Sequence, residues 1–216
     1  MSKKKPVFDC DSDTQNKILD TATTLFALKG FKAVTLKEIA KKVGIKIASI
    51  YYYYEDKDAL IEDILLRFGE VYEQANAWLH KKVKSAKTLD EMLDSLYDRD
   101  YSENISPILL FGMAMTIKEQ HNHESARKYA FEYIYKGSIN NVKESFDSLI
   151  ESGEIPPSDT KTLATLFIFC VMAYNELSVF ELAGIEPPID NAKTFLGFKK
   201  LMKAALSQGI LQEDEL

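Results

Sequence analysis

Apolar residues return every three or four positions along almost the whole 216-residue chain, and no stretch alternates apolar with polar as a half-buried strand would. That rhythm predicts an all-α protein. Ile18, Leu19, Ala22, Leu25, Phe26 and Leu28 form the apolar face of a first helix, which Gly30 ends. Thr35 and Glu38 have the spacing of a capping box and open a second helix, whose apolar side is Leu36, Ile39, Ala40 and Val43 and whose stop is Gly44. A third, short helix is predicted from about Lys46 to Tyr53. Asp56 then caps a fourth, apolar on one side from Leu60 through Ile64, Phe68, Tyr72 and Ala75 to Trp78 and Leu79. Further helices are expected near 89–101, 106–120, 123–152, 159–184 and 190–207, separated by Ser106-Pro107, Gly153 with Pro156-Pro157, and Gly184 with Pro187-Pro188.

Charge divides the chain where periodicity does not. Residues 1–60 carry a net charge of +3 and residues 61–216 a net −9, within an overall −6. A small basic module on an acidic body is the pattern of a protein that meets polyanions at one end only, and it disfavours coating of nucleic acid by the bulk field. The expected division is an N-terminal domain over 10–56 and a larger C-terminal domain over 57–216. Cys10 and Cys170 are too far apart in sequence to suggest a disulfide framework or a metal-binding CxxC pair. The basic first residues have no apolar segment behind them, and the longest nearly apolar run, Leu163–Tyr174, is too short to span a bilayer. A cytoplasmic protein with no membrane partner is expected.

The second and third helices are separated only by Val43-Gly44-Ile45, the spacing of a helix-turn-helix, in which the later helix enters the major groove of DNA. Helical phase turns Ile45, Ile50 and Tyr54 inward. It leaves Ile47, Ala48, Ser49, Tyr51 and Tyr52 outward. Small side chains at 48 and 49 permit close approach to base edges, and the hydroxyls of Tyr51 and Tyr53 can donate to phosphate oxygens.

The stretch Ile18-Leu19, Leu25-Phe26, Gly30-Phe31, Thr35-Leu36, Ile39-Ala40, Gly44-Ile45, Ser49-Ile50-Tyr51-Tyr52-Tyr53-Tyr54 and Lys57-Asp58-Ala59-Leu60 resembles the DNA-binding domain of the tetracycline-repressor (TetR-like) family over roughly residues 15–65. The resemblance implies that Thr35 supplies a phosphate-contacting hydroxyl and that Lys37 reaches a base or phosphate. It implies that Ile47, Ala48, Ser49, Tyr51 and Tyr52 occupy recognition positions, and that Tyr53 touches the DNA backbone. Lys57 corresponds to a lysine that holds phosphate at the start of the fourth helix. Lys46 counts among the DNA-facing positions, although many members have a capping serine there. Ile47 stands where many have Lys or Gln, and position 55 is acidic. The apolar Ile47-Ala48 pair predicts an A·T-leaning half-site.

The resemblance further implies a helical effector domain enclosing a small molecule and a two-fold dimer built from the last two helices. On apolar helix faces of the acidic part, Trp78, Tyr101, Phe111, Met115, Phe131, Tyr135 and Tyr174 are the candidates for contact with an effector. Asn175 is the candidate polar group to orient it. The helices near 159–184 and 190–207 are apolar on more than one side, as a homodimer interface requires. His121 and His123 would point apart on a helix, so no metal site is expected. No cofactor loop, Ser/His/Asp set or paired catalytic carboxylates suggest an enzyme. The reading is of a DNA-binding regulator, a repressor released from a pseudo-palindromic operator in double-stranded DNA by a small-molecule effector. The alternatives are an activator or a helical adaptor without an effector.

Overall fold

The computed structural model describes residues 13–96, 107–182, 184–186 and 189–210; Cys10 and Tyr101 lie outside them. The described residues are all-α, with helices α1 (Asp13–Lys29), α2 (Leu36–Val43), α3 (Ile47–Tyr53), α4 (Lys57–Lys84), α5 (Leu89–Leu96), α6 (Pro107–Glu119), α7 (Glu124–Tyr129), α8 (Ser138–Glu151), α9 (Thr160–Leu182) and α10 (Asn191–Ser207). A π-helical segment, Ala130–Gly137, joins α7 to α8 without a break. No helix among the described residues is long and apolar enough to cross a membrane.

The helix ends follow from local chemistry. The Thr35 hydroxyl accepts from the Glu38 N–H at 3.2 Å and Asp56 accepts from the Ala59 N–H at 2.8 Å, each satisfying an amide that its helix leaves unpaired. Gly44 ends α2 in the left-handed region at φ 81°, where a Cβ would be strained, and its N–H returns to the Ala40 carbonyl at 3.0 Å. That reversal sets α3 directly after α2.

Three buried clusters hold the elements. The first joins Ile18, Phe26, Ile39, Ile50 and Tyr54 of the first three helices and their connections to Leu60, Ile61 and Ile64 of α4 and to Leu110, Phe111 and Met115 of α6. The second gathers Val83, Met92, Phe146, Phe167, Phe195 and Met202 from α4, α5, α8, α9 and α10. Phe68, Leu109, Met113 and Ile134 make a smaller third. Where α4 meets α6, a Cβ on Gly112 would stand 2.7 Å from the Phe68 ring, so only glycine allows the ring to lie there. Outside the core, α10 is tied to α5 by Lys203–Asp90 at 2.5 Å and by Lys199 paired with Asp90 and Asp94.

The structure corrects four details of the periodicity. Leu28 is exposed rather than part of the α1 apolar face. Helix α4 runs on to Lys84 instead of ending near Trp78, and Trp78 is 50% exposed with the Lys82 ammonium 5.2 Å from its ring centroid. The 123–152 segment is not α-helical throughout. Ala126, Ala130, Ile134, Ser138 and Val142 are buried at an unbroken four-residue interval. In an α-helix each such step overshoots one turn by about 40°. The wider turns of the π segment compensate and hold all five on one side. Phe131, next to Ala130, is thereby turned outward and is 59% exposed.

Candidate nucleic-acid interface

Helix α3 is seven residues long, with Ile50 fully buried beneath it and Ile45 and Tyr53 half-buried against the same core. Its outer side presents Ile47, Ala48, Tyr51 and Tyr52, with Ile47 39%, Tyr51 54% and Tyr52 70% exposed, and Ser49 half-exposed beside them. The Tyr52 and Tyr53 rings meet edge to face at 5.0 Å, which limits how Tyr52 projects. Lys32, Lys37, Lys41, Lys42 and Lys46 are exposed on the preceding loop, α2 and the turn. Thr35 is exposed at the start of α2; its oxygen accepts from the Glu38 amide, so its O–H proton is directed elsewhere. A neutral, hydroxyl-bearing ridge flanked by ammonium groups is a surface for the major groove between two phosphate backbones.

Lys57, the remaining predicted DNA contact, also makes bonds within the protein. Lys57 Nζ donates to the carbonyls of Phe31 at 2.8 Å and Val34 at 3.2 Å, so the half-buried ammonium fixes the loop between α1 and α2. The same loop is held from α6. Glu119, buried, accepts from the Phe31 N–H at 2.7 Å, and Lys118 Nζ donates to the carbonyls of Ala27 and Leu28 at 3.1 and 3.0 Å. His123 packs edge to face on the Phe31 ring at 5.2 Å and caps α7 through its Nδ1, which accepts from the Ala126 N–H at 3.4 Å. These three residues were not found from the sequence. The charged Lys118-Glu119 directly after an apolar helix marks a helix end but does not disclose its partner.

A second network fixes the far end of α3. The Tyr54 hydroxyl donates to Asp63 of α4 at 2.7 Å and accepts from Gln15 of α1 at 3.3 Å. Asp63 also accepts from Arg67 at 3.4 Å. Burial, reinforced by the Asp63 carboxylate, pushes the Tyr54 phenol far above its ordinary range and favours the protonated, donating form.

Among the described residues, the candidate effector side chains do not come together. Phe111 and Met115 are packed in the core shared with α1, whereas Trp78 and Phe131 face outward. Tyr135 is half-buried and its hydroxyl accepts from Gln120 at 3.3 Å; Tyr174 is half-buried on α9. The Asn175 side chain, like Tyr101, lies outside what the structure describes. An open concavity of about 340 Å³ lies between α8 and the start of α9, lined by Lys143, Asp147, Pro157, Ser158, Asp159 and Thr160, none of them among the candidates.

This geometry defines a helix-turn-helix protein whose short recognition helix is carried on a helical body. Residues 18–64 match the family model of bacterial regulatory proteins of the tetR family. The chain is 24% identical over 151 residues to the probable HTH-type transcriptional regulator YttP of Bacillus subtilis, a match spanning 65% of each chain. It is 26% identical over 146 residues to IcaR of Staphylococcus aureus, the negative transcriptional regulator of the biofilm operon icaADBC, covering 63% of this chain and 77% of IcaR. Among solved structures, a TetR-family regulator from Mesorhizobium loti shares the fold at TM-score 0.62 and 19% identity, over 91% of this chain and 98% of that one. FadR from Bacillus subtilis, solved in complex with stearoyl-CoA, does so at TM-score 0.59 and 20% identity, over 87% and 96%.

Proposed function

We propose that this protein is a homodimeric transcriptional repressor that binds a pseudo-palindromic operator and leaves it when a small molecule occupies the C-terminal part. The observation that carries the reading is the exposed, lysine-flanked outer side of α3 within a tetR-family head. Residues 10–56 serve as the DNA-binding domain and 57–216 as the effector and dimerisation domain. Thr35, Lys37, Lys46 and Tyr53 contact the DNA backbone, while Ile47, Ala48, Ser49, Tyr51 and Tyr52 face the bases. Lys57 acts by shaping the α1–α2 loop.

Dimerisation is supported by apolar side chains that α9 and α10 leave in solvent, among them Leu166, Phe169, Leu196 and Leu201. Pairing these helices with their two-fold copies covers them as a four-helix bundle and sets two recognition helices about one helical turn of DNA apart. The effector reading draws on FadR, whose structure contains stearoyl-CoA, and on a related γ-butyrolactone receptor. No turnover of the effector is expected, and the protein acts in the cytoplasm.

Coupling runs through the α1–α2 loop, which α4 and α6 grip from two sides. A molecule that shifts α4 against α6 tilts the head, and by linkage operator DNA weakens effector binding by the factor that effector weakens DNA binding. The test is selection of bound duplexes from a randomised pool, repeated with Ser49→Ala and Tyr51→Ala. An enriched two-fold-symmetric site that the variants lose supports the reading. A specific-to-non-specific affinity ratio near one at low salt sinks it.

A further inference from the structure

Resting on the reading of α3 as the recognition helix, we propose that the operator half-site is an A·T-rich step read through thymine methyl groups, with Ile47 as the specificity-determining side chain. The sequence of α3 is Ile47-Ala48-Ser49-Ile50-Tyr51-Tyr52-Tyr53. It contains no Arg, Lys, Asn, Gln, Asp or Glu. The bidentate hydrogen bonds that identify guanine from its O6 and N7, or adenine from its N6 and N7, require one of those side chains. Helix α3 cannot make them.

What α3 offers instead is apolar. Recognition helices meet base edges with their first residues, and here those are Ile47 and Ala48, both exposed. Ile47 is a large β-branched hydrocarbon left 39% exposed at the first position of the helix, beside a core that buries its neighbour Ile50 completely. The thymine C5-methyl is the only apolar group on the major-groove edge of the four bases, so it is the group against which such a side chain gains by losing water. Ala48 keeps the helix close enough for that contact.

The polar groups of α3, the hydroxyls of Ser49, Tyr51 and Tyr52, face the same bases but each donates only one hydrogen bond. Lys46 precedes the helix with no side-chain capping bond, and its exposed ammonium is the one assigned above to the DNA backbone. Tyr51 and Tyr52 carry single hydroxyls on rigid rings, and Tyr52 is braced by Tyr53. One hydroxyl donates one hydrogen bond and cannot register the paired acceptors of guanine.

The experiment uses the full-length protein and the duplex enriched from a randomised pool. Each half-site thymine is then replaced by uracil, which deletes only the C5-methyl. The expected result is a consensus with A·T pairs against the start of α3. Uracil at one of those positions in both half-sites weakens wild-type binding by about fourfold per methyl, the factor that one buried methyl supplies. Ile47→Ala binds the thymine duplex more weakly and no longer distinguishes it from the uracil duplex. Ile47 is exposed, so the variant keeps its fold, checked by its unchanged thermal transition. A symmetric consensus with G·C pairs at those positions overturns the inference and leaves the regulator reading standing, as does equal wild-type affinity for thymine and uracil duplexes. An unselective protein overturns both.

Discussion

At the scale of the residue, the structure separates the side chains exposed on α3 from those that hold the helix in place. Tyr54 belongs to the second group: its ring fills the core and its hydroxyl ties the end of α3 to Asp63 and Gln15. Tyr54→Phe keeps the ring and removes the bond, so it should cost about 1 kcal/mol of stability in urea unfolding. It should weaken operator binding several-fold while leaving the slope of log affinity against log salt unchanged, because no phosphate contact is lost. A reduced slope would place the hydroxyl on the DNA instead. The inward phase of Tyr54 is legible in the sequence, since it follows Ile50 by four residues. Its partner is not, because Asp63 is brought to it by the packing of α4. Lys57 is a parallel case, recognisable as a cation at a helix start but committed to carbonyls 23 and 26 residues earlier in the chain.

At the scale of the element, the helix signals written within three or four residues survive in the structure. Thr35 and Asp56 cap their helices and Gly44 ends α2 as their spacing predicts, because a cap is completed by its own helix; the other half of the capping box does not form, since the Glu38 carboxylate pairs with Lys29 at 2.6 Å. Thr35→Ala should cost about 1 kcal/mol, measured by denaturant unfolding. Asp159 opens α9 in the same manner and its pKa is lowered, first by the Thr162 hydroxyl and then by the N–H groups of Thr162 and Lys161. A carboxylate with a lower pKa folded than unfolded stabilises fully above the unfolded value of about 4, and the contribution disappears as pH falls through the folded value. The melting temperature of wild type should therefore exceed that of Asp159→Ala at neutral pH and converge with it at a pH below the lowered pKa. A constant difference down to that pH would remove the carboxylate from the account. The π segment is what periodicity could not disclose: a four-residue burial rhythm sustained from Ala126 to Val142 is neither an ordinary α pattern nor a strand pattern, and it sent Phe131 to the wrong side.

At the scale of the whole molecule, the head is not an independent bead on the body. Glu119→Ala leaves the buried Phe31 amide without its acceptor and should cost about 1–3 kcal/mol, whereas Glu119→Gln retains an acceptor oxygen and should recover most of it. Equal losses for the two variants would show that charge, not the hydrogen bond, matters there. Replacement of Phe169 and Leu201 by glutamate should shift sedimentation to the monomer and abolish operator binding while each chain stays helical. The grip on the α1–α2 loop has a genetic consequence. Lys57, Lys118, Glu119 and His123 hold the backbone between Ala27 and Val34, or the ring borne on it. Mutants that still silence a reporter yet ignore inducers should accordingly form two complementation classes. Lesions around a chamber lose the response to some inducer structures and keep others, while lesions at these four positions are deaf to all of them alike.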